Sequence, residues 1–170
     1  MKFIGVDPGY DKFGVAIIEN NNGENKLLFS DCIKTSAKLL LSERIFLIGK
    51  EFQDLIKKFN PDSLAIEKLF FTTNQKTAMG VSEAKGVATY IAKSNKLEVF
   101  EFTPLQVKTA IVGYGKADKN QISKMIPLLI KNWGDLKKKK MEDDEFDAIA
   151  IALTGLATSK NNFYNLKFSR

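Results

Sequence analysis

The chain has 170 residues, which at roughly 150 residues per domain is one domain. It carries 26 Lys and Arg against 20 Asp and Glu, a net charge of +6, with no histidine and one cysteine. Those counts exclude Ser-His-Asp and Cys-His chemistry, imidazole bases, histidine metal ligands, internal disulfides and cysteine zinc sites.

Carboxylates, lysines, hydroxyls and oxygen-liganded metals remain. The basic excess points to an anionic partner, nucleic acid first, and the same charge also serves solubility. No stretch reaches the roughly 18 apolar residues of a membrane span, so no membrane partner is expected. The N-terminus lacks the regions of a signal peptide, and a lone thiol fits a cytoplasmic location.

Residues 2–7, KFIGVD, form an apolar strand ending in Asp7, and Pro8-Gly9-Tyr10-Asp11 follows as a turn. Residues 13–19 and 26–34 read as two more strands around the polar turn 20–25, so the first part is an antiparallel meander. Ser42 fits a helix N-cap, and Ile45, Ile48, Phe52, Leu55, Ile56 and Phe59 recur at helical spacing over 43–59. Residues 63–67, SLAIE, form a buried strand ending in Glu67. Residues 75–94 read as a helix and 97–102 as a strand. Thr103-Pro104 supplies an N-cap and a first-turn proline for a short helix. A glycine loop at 112–117 precedes a helix over 119–132, the lysine run 137–140 and a last helix over 144–158. Residues 159–170 read as a polar tail, frayed at its end. The layout predicts an α/β fold: a mixed sheet covered by helices, one domain over 1–158 and a tail over 159–170.

Asp7 and Glu67 each end an apolar strand. Either alone reads as a solvated strand end. If the two strands pair in parallel, both carboxylates emerge at one sheet edge, where α/β sites lie. Asp144 and Asp147 sit i, i+3 on one helical face. With Glu142, Asp143 and Glu145 they also suit a helix N-terminus. Asp147, however, directly precedes Ala148-Ile149-Ala150, and on a packed face it is drawn to the core edge, where a lone carboxylate is costly. Four converging carboxylates repel unless a cation joins them, and hard oxygen ligands suit Mg²⁺ or Mn²⁺. Two such ions about 3.5–4 Å apart activate water and stabilise a leaving oxygen in phosphodiester hydrolysis. Lys108, Lys116 and Lys119 flank Gly113-Tyr114-Gly115, where backbone can approach a phosphate and lysines neutralise it. The run 137–140 reads as a solvated loop, with phosphate contact as the alternative. Phe70 and Phe71 follow Glu67; core packing is the usual fate of such a pair, and stacking on an unpaired base is the alternative.

These residues carry a resemblance. GVDPGYDKFGVA at 5–16, AIEKLFFTTN at 65–74, SEAKGV at 82–87, TPLQVKTAIVGYGKADKNQI at 103–122 and DDEFDAIAIALT at 143–154 are similar, in order and spacing, to the RuvC Holliday junction resolvases. The resemblance implies an RNase H-like fold with a five-stranded mixed sheet flanked by helices. It implies a homodimer that binds a four-way DNA junction and nicks two opposed strands symmetrically, leaving 5′-phosphate and 3′-hydroxyl ends. It assigns catalysis and metal binding to Asp7, Glu67, Asp144 and Asp147, with two Mg²⁺ per site and Mn²⁺ as a substitute. Asp144 stands where some members have histidine. Lys119 or Lys108 would support the charged transition state. The family's junction-probing aromatic falls on Phe70 and its basic positions on Lys108 and Lys119; Phe71, Asn74, Lys85 and Lys116 are expected as further DNA contacts. RuvA and RuvB are implied partners if the source is bacterial. The basic stretch 134–141 and the aromatic tail depart from the family pattern.

Other readings are a viral-type resolvase of broader branched-DNA specificity that acts without RuvA and RuvB, a junction-binding module without catalysis, and an actin-like ATP-binding protein. The last shares GVDPG before a strand, but 170 residues cannot supply two such lobes. The helix 75–94, with Ala78, Ala84, Gly86 and Ala88, is the expected dimer interface, since paired cuts need two subunits.

Overall fold

The computed structural model describes residues 1–69, 75–135 and 141–167. The elements follow the order expected: β1 (Lys2–Asp7), β2 (Lys12–Asn21), β3 (Glu24–Lys34), α1 (Leu41–Phe59), β4 (Ser63–Glu67), α2 (Gln75–Ser94), β5 (Glu98–Phe102), α3 (Pro104–Val112), α4 (Lys119–Leu129) and α5 (Asp143–Lys167). One short 3₁₀ turn, Trp133–Asp135, precedes α5.

The five strands form one sheet in the order β3-β2-β1-β4-β5. β3, β2 and β1 are antiparallel, and β1, β4 and β5 are parallel. The central strands are apolar on both faces because both faces are covered. Ile4, Val6, Val15, Ile17, Leu64 and Ile66 face α1 and α2. Phe3, Ala16, Ile18 and Ala65 face the layer of α3, α4 and α5. This is the α/β sheet expected of an RNase H-like fold.

Helix α5 lies close against the sheet because the strands beneath it carry glycine. A Cβ on Gly5 would stand 2.2 Å from the Ala148 carbonyl oxygen, and one on Gly14 would stand 2.1 Å from that of Asp144. Main chain thus rests on main chain, and the first turns of α5 are held at the carboxyl end of β1.

Three expectations are corrected. Ser42 is not the cap of α1: the helix begins at Leu41, and the Glu43 carboxylate accepts from the Leu40 N–H at 2.9 Å. Ser42 therefore lies inside the first turn, and the carboxylate of the third helical residue reaches back to the N–H of the residue that precedes the helix. On α2, Ala84 and Ala88 are fully buried against α1 and the sheet, so they belong to the core and not to an interface. The outward stripe of that helix is Met79, Glu83, Gly86 and Tyr90. Finally, α5 continues to Lys167, through the stretch whose polarity suggested a tail. Residues 156–167 contain neither Gly nor Pro, so nothing local stops the helix. Ser159 is buried, and its hydroxyl donates to the Leu156 carbonyl at 3.1 Å.

Two helix starts carry reciprocal caps, the first of them at the Thr103 that the sequence signals. Thr103 Oγ1 accepts from the Gln106 N–H at 3.2 Å, while Gln106 Oε1 accepts from the Thr103 N–H at 2.8 Å. Asp118 and Gln121 make the same reciprocal pair at the start of α4, both bonds being 2.9 Å. That cap fixes Lys119 as the first residue of α4. Among the described residues no helix is long and apolar enough to cross a membrane.

Candidate active site at the carboxyl edge of the sheet

Because β1 and β4 are parallel, Asp7 and Glu67 leave the sheet at the same edge. Asp144 and Asp147 reach that edge from the first turns of α5, which crosses above β1 and β2. The four acids therefore share one electrostatic neighbourhood. Burial, then Glu67, Asp147 and Asp144 in that order, push the Asp7 carboxyl up from an ordinary 3.8 to about 7, and Lys119 only partly opposes them. Glu67 is raised by burial and by Asp147. Asp147 is raised chiefly by burial, against the pull of Lys119.

Lysines partly neutralise this charge. Lys119 Nζ stands 3.2 Å from Asp147 and 3.3 Å from Asp143. Burial disfavours its charge, but those two acids outweigh burial and raise its pKa. Lys12 Nζ stands 3.8 Å from Asp144 and 3.1 Å from Glu142. Lys34 Nζ reaches the other oxygen of Glu142 at 2.7 Å. Held by both lysines, Glu142 is lowered to about 2.

A cleft of about 170 Å³ opens beside the acids, lined by Glu67, Lys108, Asp147 and the apolar side chains of Val107, Ile122 and Ile151. Lys108 is thus placed at the site. Lys116 is exposed on the loop before α4. Lys85 differs: its side chain is only 15% exposed and pairs with Glu101 at 2.8 Å, so it is committed within the protein. Phe70, Phe71, Asn74 and the run 137–140 lie outside the described residues.

Sequence reasoning missed two groups around the site. One is the Lys12–Glu142–Lys34 bridge. The other is Arg44, buried on α1, whose guanidinium donates to the Thr35 hydroxyl at 2.8 Å and to the Tyr10 carbonyl at 3.1 Å. It also pairs with Asp11 and lies over the Tyr10 ring, 4.7 Å from the centroid. Arg44 fixes the turn that follows Asp7. An arginine among apolar helix positions was the available signal.

The donor set tests whether a metal belongs here. All four acids offer hard carboxylate oxygens, and their mutual repulsion is what a divalent cation relieves. Among the described residues, no three acidic or cysteine side chains already close into a ligand cage. The clustered negative charge at this edge favours a divalent cation, which Asp7, Glu67, Asp144 and Asp147 would hold.

The comparisons agree with this geometry. The family model for Crossover junction endodeoxyribonuclease RuvC matches residues 3–155. The chain belongs to the RuvC family. Its RuvC relative from Finegoldia magna is 39% identical over 165 residues, covering 97% of this chain and 98% of the relative. RuvC from Caldicellulosiruptor saccharolyticus is 41% identical, covering 96% and 97% respectively. Among solved structures, Thermus thermophilus RuvC in complex with Holliday junction substrate superposes with a TM-score of 0.86 at 28% identity, covering 95% of this chain and 96% of that one. The RuvC match extends over all three elements that carry the four acids, and the RNase H-like sheet is the family's.

Proposed function

We propose that this chain is a crossover junction endodeoxyribonuclease that resolves four-way DNA junctions by metal-dependent hydrolysis. The observation that carries the reading is the convergence of Asp7, Glu67, Asp144 and Asp147 from β1, β4 and α5 in a chain that matches RuvC over residues 3–155. Asp7, Glu67, Asp144 and Asp147 would hold two Mg²⁺ ions, with Mn²⁺ as a substitute. When bound, such ions supply an activated water and stabilise the leaving 3′ oxygen, so that the products are 5′-phosphate and 3′-hydroxyl ends.

The chain's own residues do the rest. Asp7 and Glu67 stand at the ends of adjacent parallel strands, which hold their main chains side by side. Lys119 stands beside Asp147, where an ammonium stabilises the charge that develops on the phosphate. Lys108 and Lys116 neutralise flanking phosphates. Phe70, Phe71 and Asn74, which follow Glu67 in the chain, belong to the same proposal as contacts to the junction. Lys85 enters it more weakly, since Glu101 already holds it.

Paired cuts require two sites, so the working form is a homodimer. The exposed stripe of α2 supports this: Met79 and Tyr90 are 70% and 73% exposed, and the space beside Gly86 is open enough for a partner helix to approach closely. RuvA and RuvB are the partners that the family resemblance implies. A cytoplasmic location is supported by the single thiol, Cys32, which is free and buried.

The test is incubation of the protein with a synthetic four-way junction and Mg²⁺. The expected result is a pair of symmetric, ligatable nicks that disappear with Asp7→Asn. Intact junction, or undiminished nicking by the variant, refutes the proposal.

A further inference from the structure

On the β2–β3 side of the acids two lysines face each other. Lys12 opens β2 and Lys34 closes β3, and the two are register partners. Like charges directly opposed across antiparallel strands repel. One carboxylate, Glu142, lies between them and bonds to both, at 3.1 and 2.7 Å. Asp144 also approaches Lys12, at 3.8 Å and beyond hydrogen-bond reach, so among the described residues Glu142 alone bonds to both ammonium groups. Packing does not demand the lysines either, because their side chains are 49% and 55% exposed. Exposed ion pairs contribute little to stability, so the cluster is a weak clamp at best.

Its position gives it another use. Asp7 pairs with Gly14 on β2, two residues beyond Lys12, so the lysine pair stands at the sheet end where the acids emerge. Lys12 comes within 3.8 Å of Asp144. Lys108, Lys116 and Lys119 belong to α3, the loop before α4 and α4, on the opposite flank. Cations therefore bracket the acids on two sides. A DNA strand whose reacting phosphate sits at the acids must continue past one flank or both, and its neighbouring phosphates need cations there.

We infer that Lys12 and Lys34 form a second DNA-phosphate contact on the β2–β3 flank, and that Glu142 holds the pair in the free protein and yields it to the DNA backbone. The inference rests on the junction-binding function proposed above. Glu142 then acts as a placeholder anion: it keeps two repelling ammonium groups side by side until a phosphate replaces it.

The experiment measures affinity of the full-length protein for a synthetic four-way junction in EDTA, across a range of salt concentrations. Each contact with duplex phosphate contributes about 0.9 to the slope of log affinity against log salt. Lys12→Gln and Lys34→Gln should each make that slope shallower by nearly this amount and weaken binding several-fold. Glu142→Gln removes the competing anion and should tighten binding several-fold. Circular dichroism checks that the three variants are folded. If the cluster only anchors the start of α5, the lysine variants lower the melting temperature and leave the salt slope at the wild-type value, which overturns the inference. Weaker binding by Glu142→Gln also overturns it. These failures leave the proposed function standing while wild type binds the junction tightly. A wild type that binds a four-way junction no better than plain duplex overturns both.

Discussion

Replacing Asp7 by asparagine should disable the enzyme and stabilise the metal-free protein. Burial and three neighbouring acids push the Asp7 carboxyl from 3.8 to about 7. That difference, about three pH units at about 1.4 kcal/mol each, is worth about 4 kcal/mol. Asp7 keeps some access to water and its neighbours share the repulsion, so an effect of about 2–4 kcal/mol is expected. The sign follows from proton linkage. A raised carboxyl holds its proton longer in the folded than in the unfolded chain, so folding is penalised once Asp7 ionises. The penalty is complete above about pH 7 and fades as pH falls toward the unfolded value. In EDTA at about pH 8, Asp7→Asn should therefore melt higher than wild type by roughly 5–15 °C for a chain of this size. At about pH 5 the gain should fall to less than half. Adding Mg²⁺ should raise the wild type and narrow the gap, because the cation removes the repulsion that the substitution relieves. A variant that melts at or below wild type in EDTA at the higher pH refutes the picture of an Asp7 carboxylate strained by burial and by its acidic neighbours.

Gly14→Ala would place a methyl 2.1 Å from the Asp144 carbonyl oxygen and must lift the start of α5. Urea denaturation should show a loss of about 1–3 kcal/mol or more, and junction nicking should fall further than stability explains. Lys119→Gln removes the cation 3.2 Å from Asp147. Its nicking rate should drop about 10²–10³-fold, with junction affinity changed far less, as single-turnover kinetics beside binding curves would show. Tyr90→Glu charges the exposed stripe of α2, where Tyr90 is 73% exposed. Light scattering should then report a monomer, and junction cleavage should give unpaired nicks.

The acids were legible because each departs from its local pattern: Asp7 and Glu67 interrupt apolar runs, and Asp147 borders a helical face of Ala and Ile. Their convergence also required β1 and β4 to be parallel, which the sequence suggested only through alternation of helix and strand. Direction of burial was harder to read. An alanine stripe on α2 suits a core or an interface equally, and α1 with the sheet decided for the core. Cross-strand partners were hidden for another reason. Lys12 meets Lys34 in a register that shifts at Ile17/Ile18, and no residue type announces that irregularity. The end of α5 was obscured because residues 159–167 are mostly polar, and polarity alone does not separate a surface helix from a tail.

The glycines beneath α5 bear on how such an enzyme can change over time. Where main chain touches main chain at Gly5 and Gly14, the interval between helix and sheet is set by backbone thickness, whatever volume the neighbouring side chains have. Drift in the core then leaves the gauge of the carboxylates untouched. The lysines of the two flanks stand on α3, on α4 and the loop before it, and at the ends of β2 and β3, outside that contact. They are free to diversify, to favour one branched DNA over another, without recalibrating the edge that cuts.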